Sequence, residues 1–184
     1  MKLLVPEGES TGELEDRRSR FIAHFVPIGI FEARLADLRA EHRKANHFVT
    51  AFRHFDESGH IAESAKDDGE PAGTSGMPCL KVLTGANIIE AGVIVVRYFG
   101  GTKLGGGGLS RAYSGATTLA IDAANLRPFV RQAKKVVHAT FEEMGELEKR
   151  LAVAGVAIED RRFTETGVSL AVSGEEGVLE SLGD

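Results

Sequence analysis

The sequence predicts an α+β protein of two domains. Strand-like runs and helical periodicities alternate along the whole chain. A break at Arg127 to Gln132 then separates a long first series of elements from a short second one, in the order β-α-β-β-α. The first series is read as a domain over residues 1–130. The second is read as a small ferredoxin-like split βαβ module over residues 131–184. A third observation is local. Of 184 residues, 22 are glycine, about 12% where roughly 7% is ordinary. Twelve of these glycines lie between Gly69 and Gly115.

In the first series, Ser19 to Val26 reads as a strand, with Phe21 and Phe25 on one face and Ile22 and Val26 on the other. Pro27 and Gly29 break it. Phe31, Leu35, Leu38 and His42 repeat at helical spacing, which predicts a helix over Ile30 to Arg43. His47 to Arg53 reads as a second strand. After a polar turn at Asp56 to Gly59, a short strand follows around His60 to Ala65. The acidic, glycine-broken loop Asp67 to Gly73 leads into a helix for which Thr74 or Ser75 is the N-cap. Pro78 in its first turn is tolerated there. Ala91 to Phe99 contains four consecutive apolar residues, Val93 to Val96, and so reads as a strand buried on both faces. Gly100 to Gly108 reads as a loop. The helix after it carries Leu109, Ala112, Tyr113, Ala116, Ala120 and Ala123 on one stripe, and Asn125 and Pro128 end it.

In the second series, Val136 to Phe141 is a strand and Glu142 to Ala154 a helix closed by Gly155. Two strands, Ala157 to Thr164 and Val168 to Val172, precede a last helix near Glu175.

Charge narrows the function classes. The formal net charge is −5, which disfavours a nonspecific nucleic-acid binder driven by bulk charge. Residues 1–130 hold 15 basic and 16 acidic groups, net −1, and residues 131–184 hold 7 and 11, net −4, so a local basic face on the first domain is compatible with the total. Arg17, Arg18, Arg20, Arg43, Lys44, Arg97, Lys103 and Arg111 are its material, with Tyr98, Phe99 and Tyr113 as candidate stacking partners. The single cysteine, Cys79, excludes an intramolecular disulfide and a cysteine-based zinc site. The N-terminal apolar stretch is too short for a signal peptide and no run is long enough for a membrane span, so a cytoplasmic protein without membrane contact is expected.

No catalytic set is complete. Gly101 to Gly107 fails the G-x-x-x-x-G-K-[ST] pattern, and G-x-G-x-x-G fails from both Gly105 and Gly106. The glycine-rich segment before a helix is nevertheless a candidate anion contact, competing with a tight backbone crossing that needs glycine. Asp67, Asp68 and Glu70 form an acidic turn with the chemistry to hold a hard cation or to act as acid and base, but such a turn is more often solvated or helix-capping. His42, His47, His54 and His60 have no paired ligand spacing, and His47 alone is retained as a polar contact. No cofactor and no metal are expected.

Two long segments carry a family likeness. Asp68-Gly69-Glu70-Pro71-Ala72-Gly73-Thr74-Ser75-Gly76-Met77-Pro78 resembles the D-G-E-P-x-G-T-x-G-x-P motif of the YigZ/IMPACT family. Arg97-Tyr98-Phe99-Gly100-Gly101-Thr102-Lys103-Leu104-Gly105-Gly106-Gly107-Gly108-Leu109 resembles its R-Y-[FY]-G-G-x-x-L-G-x-G-G-L motif. Arg18 to Ala23 and Ala45 to His47 also match family positions. The resemblance implies a first domain with a left-handed β-α-β crossover of the ribosomal-protein domain 2-like type, shared with the fourth domain of elongation factor G and with GHMP kinases. It implies a C-terminal domain similar to the fifth domain of elongation factor G. That domain ends with one more strand, which a chain stopping at Asp184 would hold shortened or lack.

Family members are linked to translation. The eukaryotic ones compete for a partner of an initiation-factor kinase through a form with an extra N-terminal domain, and that interaction is not carried over here. The expected function is a noncatalytic, translation-associated regulator that binds RNA or the ribosome. Two alternatives stand beside it. One is an enzyme or sensor for a phosphate ligand, since Gly106 to Ala112 is similar to the GHMP-kinase loop except at Arg111. The other is a protein–protein adaptor. The candidate ligand-binding residues are His47, Asp68, Gly69, Glu70, Gly73, Thr74, Arg97, Tyr98, Gly100, Gly101, Lys103, Gly107, Gly108 and Arg111, with a phosphate or other anion at the glycine segment.

Overall fold

The computed structural model describes residues 2–182. The chain divides into two compact units, Met1–Phe129 and Val130–Asp184. The first unit runs β1 (Leu4–Pro6), β2 (Ser10–Asp16), β3 (Ser19–Pro27), α1 (Phe31–Glu41), β4 (His47–Phe55), β5 (Ile61–Lys66), α2 (Gly76–Gly85), β6 (Ala91–Tyr98), α3 (Gly105–Asp122) and β7 (Leu126–Pro128). Its main sheet has the order β2-β3-β6-β4-β5, antiparallel at every pairing. Because β3 and β4 both run antiparallel to β6, they are parallel to each other, and α1 is the crossover between them.

Strand alternation decides which helix covers which face. Phe21, Ala23 and Phe25 of β3, Val49 and Ala51 of β4, and Val93 and Val95 of β6 face α2 and α3 in one core. Val26, Ile94 and Val96 face Phe31, Leu35 and Leu38 of α1 in another. The unit is therefore a three-layer α/β/α arrangement, and β6, with seven of its eight residues buried, is its centre. Among the described residues no helix is long and apolar enough to cross a membrane.

Besides the short β1–β7 pair, which the sequence reading does not contain, three findings differ from it. First, β2 escapes the apolar pattern because its inward position at Gly12 must be glycine. A Cβ there would lie 2.4 Å from the Ala120 backbone nitrogen of α3. Second, the helix expected after Gly108 begins at Gly105. Glycine costs about 1 kcal/mol per helical position relative to alanine, so propensity argues against this start. Gly105, at φ +74, turns the chain into the helix, and a Cβ on Gly108 would press the Leu104 side chain at 2.9 Å. Gly107 and Gly108 thus belong to the first turn of α3 and not to a loop. Third, Ser75 holds the N-cap position of α2 but makes no side-chain cap bond; Asp67 does that work.

The Asp67 carboxylate accepts the N–H groups of Gly73 (2.8 Å), Ser75 (3.2 Å) and Gly76 (2.8 Å) and the Ser75 hydroxyl (2.7 Å). Burial raises its pKa, but these bonds outweigh burial and hold the carboxyl below its usual value of 3.8. Asp67→Ala is expected to lose about 2 kcal/mol at neutral pH. The folded-state pKa is the lower one, so this contribution is fully present above pH 3.8 and fades as pH falls through the folded value. Urea midpoints of the two proteins should differ clearly at pH 7 and converge in strong acid.

The second unit comprises β8 (Gln132–Thr140), α4 (Met144–Val153), β9 (Ala157–Phe163), β10 (Gly167–Glu175) and α5 (Glu176–Ser181). It is a β-α-β-β-α module whose sheet has the order β8-β10-β9, antiparallel throughout. Val137, Leu151, Val168, Leu170, Val172 and Leu179 form its core. The further C-terminal strand implied by the resemblance would follow Leu182, outside the described residues.

Candidate functional site

The strand register collects the chemistry at one end of the main sheet. Arg97, near the end of β6, pairs with Phe21 of β3 on one side and with His47, the first residue of β4, on the other. The chain then leaves β6 through Phe99 and the glycine segment and enters α3. The Glu70 loop sits beside His47. Between them lies a cleft of about 390 Å³.

Its floor is a buried ion pair. Glu70 Oε1 accepts from Arg97 Nη1 at 2.5 Å and from the Tyr113 hydroxyl of α3 at 2.6 Å. The Glu70 and Arg97 side chains are only 4% and 6% exposed. The Arg97 guanidinium lies between the Phe21 and Phe99 rings, 5.3 Å and 5.6 Å from their centroids. Burial, and then the Glu70 carboxylate it donates to, push the Tyr113 hydroxyl far above the usual phenol range, so it remains a donor.

His47 borders this floor. Its Nδ1 lies 2.8 Å from the Asp68 carbonyl oxygen, which can only accept, so Nδ1 carries the hydrogen. Nε2 is left 3.7 Å from Glu70 Oε2. The walls come from Asn46, Pro71, Phe99, Lys103, Leu104, Gly105, Gly106 and Leu109. Asn46 Oδ1 accepts the Phe99 N–H at 2.8 Å and so fixes that wall. Lys103 is exposed, and Phe99 is 46% exposed. The first N–H groups of α3, which have no partner within the helix, open beside Gly105 and Gly106.

Of the expected residues, the structure brings His47, Glu70, Arg97 and Lys103 into the cleft. The others lie around it or away from it. The Asp68 carboxylate accepts the Phe48 N–H at 2.7 Å and faces Arg39 at 3.6 Å. Gly69 and Gly73, at φ +89 and +75, shape the Glu70 loop. Thr74 ties that loop to α3 by accepting the Ser110 hydroxyl at its carbonyl oxygen. Gly100 packs against the Arg18 backbone, Gly101 turns the chain at φ +88, and Gly107 and Gly108 lie in α3. Arg111 is on the exposed face of α3, one turn past Gly107.

Tyr98 is not in the cleft. Strand alternation turns it to the α1 face, where its hydroxyl lies 2.7 Å from His42 Nδ1. Tyr113 is fully buried, so Phe99 is the aromatic of the three that a ligand reaches. Cys79 is buried, and burial pushes its thiol up to about 12, which makes it inert at neutral pH. Among the described residues no group of three His, Cys, Asp or Glu side chains converges as a metal site.

The sequence reading did not place Ser19 at the site, although Ser19 lies in the Arg18 to Ala23 segment that matches family positions and begins β3. Its hydroxyl, 0% exposed, accepts the Gly100 N–H at 3.0 Å and faces Arg97 Nη2 at 3.5 Å.

Comparison with known proteins gives this constellation a family. Residues 17–121 match the model of the Impact N-terminal domain. The chain is 41% identical over 123 residues to the IMPACT family member YigZ of Escherichia coli, across 64% of this chain and 59% of YigZ. It therefore spans about three fifths of that relative. It is 36% identical over 175 residues to an IMPACT family member in the pol 5′ region of Thermus thermophilus, across 91% of this chain and 93% of that protein. A solved structure described as a hypothetical protein superposes with a TM-score of 0.72 at 28% identity, covering 98% of this chain and 89% of the other. The matched segment runs from the β2–β3 turn through α3 and contains every residue of the cleft, so the chain belongs to the IMPACT family.

Proposed function

We propose that this protein is a noncatalytic, translation-associated regulator that binds RNA, free or within the ribosome, through the cleft at the end of the main sheet. One observation carries the reading. A half-exposed Phe99 ring lines the same cleft as an exposed lysine, Lys103, and the first residues of α3. Aromatic faces stack bases with little sequence preference, and cations with helix N–H groups hold phosphates. The buried Glu70–Arg97–Tyr113 set supports the ring and spends its own charges internally, which favours binding over proton transfer. Family membership supports the link to translation.

Filter binding of single-stranded RNA tests the reading. The wild type is expected to bind, with affinity falling as salt rises from about 50 to about 200 mM. Lys103→Glu should weaken it by about tenfold or more, because one phosphate contact becomes a repulsion. Absence of binding by the wild type at the low-salt end would overturn the proposal.

A further inference from the structure

We infer that the β2–β3 turn, Arg17–Arg18, is a second phosphate-contacting element, so that the partner is a single-stranded oligonucleotide running across the end of the sheet into the cleft. The inference rests on the cleft reading above and extends it from one nucleotide to several.

Position is the first support. Arg20 pairs with Tyr98, and His47 pairs with Arg97, so the start of β3, the end of β6 and the start of β4 lie side by side. β3 and β4 are two strand spacings apart, about 10 Å, wider than one phosphate group bridges. Gly100 joins the turn to the cleft wall. A Cβ on it would lie 2.1 Å from the Arg18 carbonyl carbon, and its N–H reaches the Ser19 hydroxyl. The next residue before it is Phe99.

Charge is the second. Arg20 is engaged by Glu13 at 2.7 Å, and Arg39 faces Asp68 at 3.6 Å. Arg17, Arg18, Lys103 and Arg111 are exposed, and none has a carboxylate within ion-pair distance among the described residues. A chain of net charge −5 thus leaves unneutralised cations beside the cleft.

Backbone conformation is the third. Arg17 and Arg18 have φ of +45 and +65, the pattern of a type I′ hairpin turn, where Asn-Gly is the favoured pair. Among the described residues, neither arginine side chain makes an internal bond that offsets this conformation. Two left-handed arginines at the tip of a hairpin are a local cost, and such outliers cluster where residues contact a ligand.

The substitution Arg17→Asn with Arg18→Gly separates the two roles, because it suits the turn while removing both charges. Wild type, this variant, the charge-retaining Arg17→Lys/Arg18→Lys variant and Lys103→Glu are compared by filter binding. The probes are uridine monophosphate and oligouridylates of about four and about twelve nucleotides. Wild-type affinity should rise with probe length. The Asn/Gly variant should keep or raise the melting temperature. It should bind the longest probe about tenfold more weakly, with a salt slope smaller by about 1.4, since each single-strand phosphate contact contributes about 0.7. The lysine variant should stay close to wild type. If the Asn/Gly variant keeps both affinity and slope while Lys103→Glu weakens binding, the turn has no part in recognition and the cleft reading stands alone. If the wild type binds no probe, both readings fall.

Discussion

Replacing Glu70 by alanine should destabilise the first unit by about 3 to 5 kcal/mol, because it leaves the Arg97 guanidinium charged and unpaired in the protein interior. Arg97 is 6% exposed and has one carboxylate partner among the described residues, Glu70 at 2.5 Å. Its other neighbours are the Phe21 and Phe99 rings and the Ser19 hydroxyl. None of these neutralises it. Tyr113 loses its acceptor in the same substitution, which adds an unsatisfied buried hydroxyl. Arg97→Met strands the Glu70 carboxylate in its turn and should cost a comparable amount. The double variant removes both charges and should cost clearly less than the two single losses together, since the partners are directly coupled. Urea denaturation of the four proteins measures this. Additive losses would mean that the pair does not hold the floor of the cleft.

Gly100→Ala is expected to cost about 3 kcal/mol, at the upper end of what forced overpacking produces. The obstacle is backbone and not a side chain that can rotate away. The added methyl group would lie 2.1 Å from the Arg18 carbonyl carbon, 2.4 Å from its oxygen and 2.4 Å from the Ser19 nitrogen. Either the β2–β3 turn or the glycine segment must move, and with it the hydrogen bond from Gly100 to Ser19. Gly101→Ala is the control. Gly101 has open space around it but φ +88, so its loss is conformational only, about 1 kcal/mol. Thermal melts should rank the wild type above Gly101→Ala, and that above Gly100→Ala. Equal melting temperatures for the two variants would contradict the close approach at Gly100.

These two residues show how far the sequence could be read. Strands β3 and β6 were legible because their apolar residues alternate or run together, and burial is all that such a pattern reports. The ion pair was not legible. Glu70 and Arg97 are 27 positions apart, and no local rule pairs an acid in a loop with an arginine at the end of a buried strand. Gly12 hid β2, because the closest approach of a strand to a helix erases the side chain that would have signalled it. The glycines at the start of α3 hid four helical residues for the opposite reason: low helix propensity was outweighed by packing. Tyr98 was misplaced for want of its alternation. One position along the strand turns a side chain to the other face, so Phe99 reaches the cleft and Tyr98 does not. His47 and the two glycine-rich motifs were grouped as one candidate site, and the sheet register sets His47 directly beside Arg97.

The cleft as an RNA site is tested most directly by photo-crosslinking a 4-thiouridine-substituted single-stranded RNA to the intact protein and mapping the linked peptide by mass spectrometry. The account predicts a cross-link within Phe99 to Lys103, lost on Phe99→Ala and competed by unlabelled RNA. Cross-links confined to residues 130–182 would contradict it.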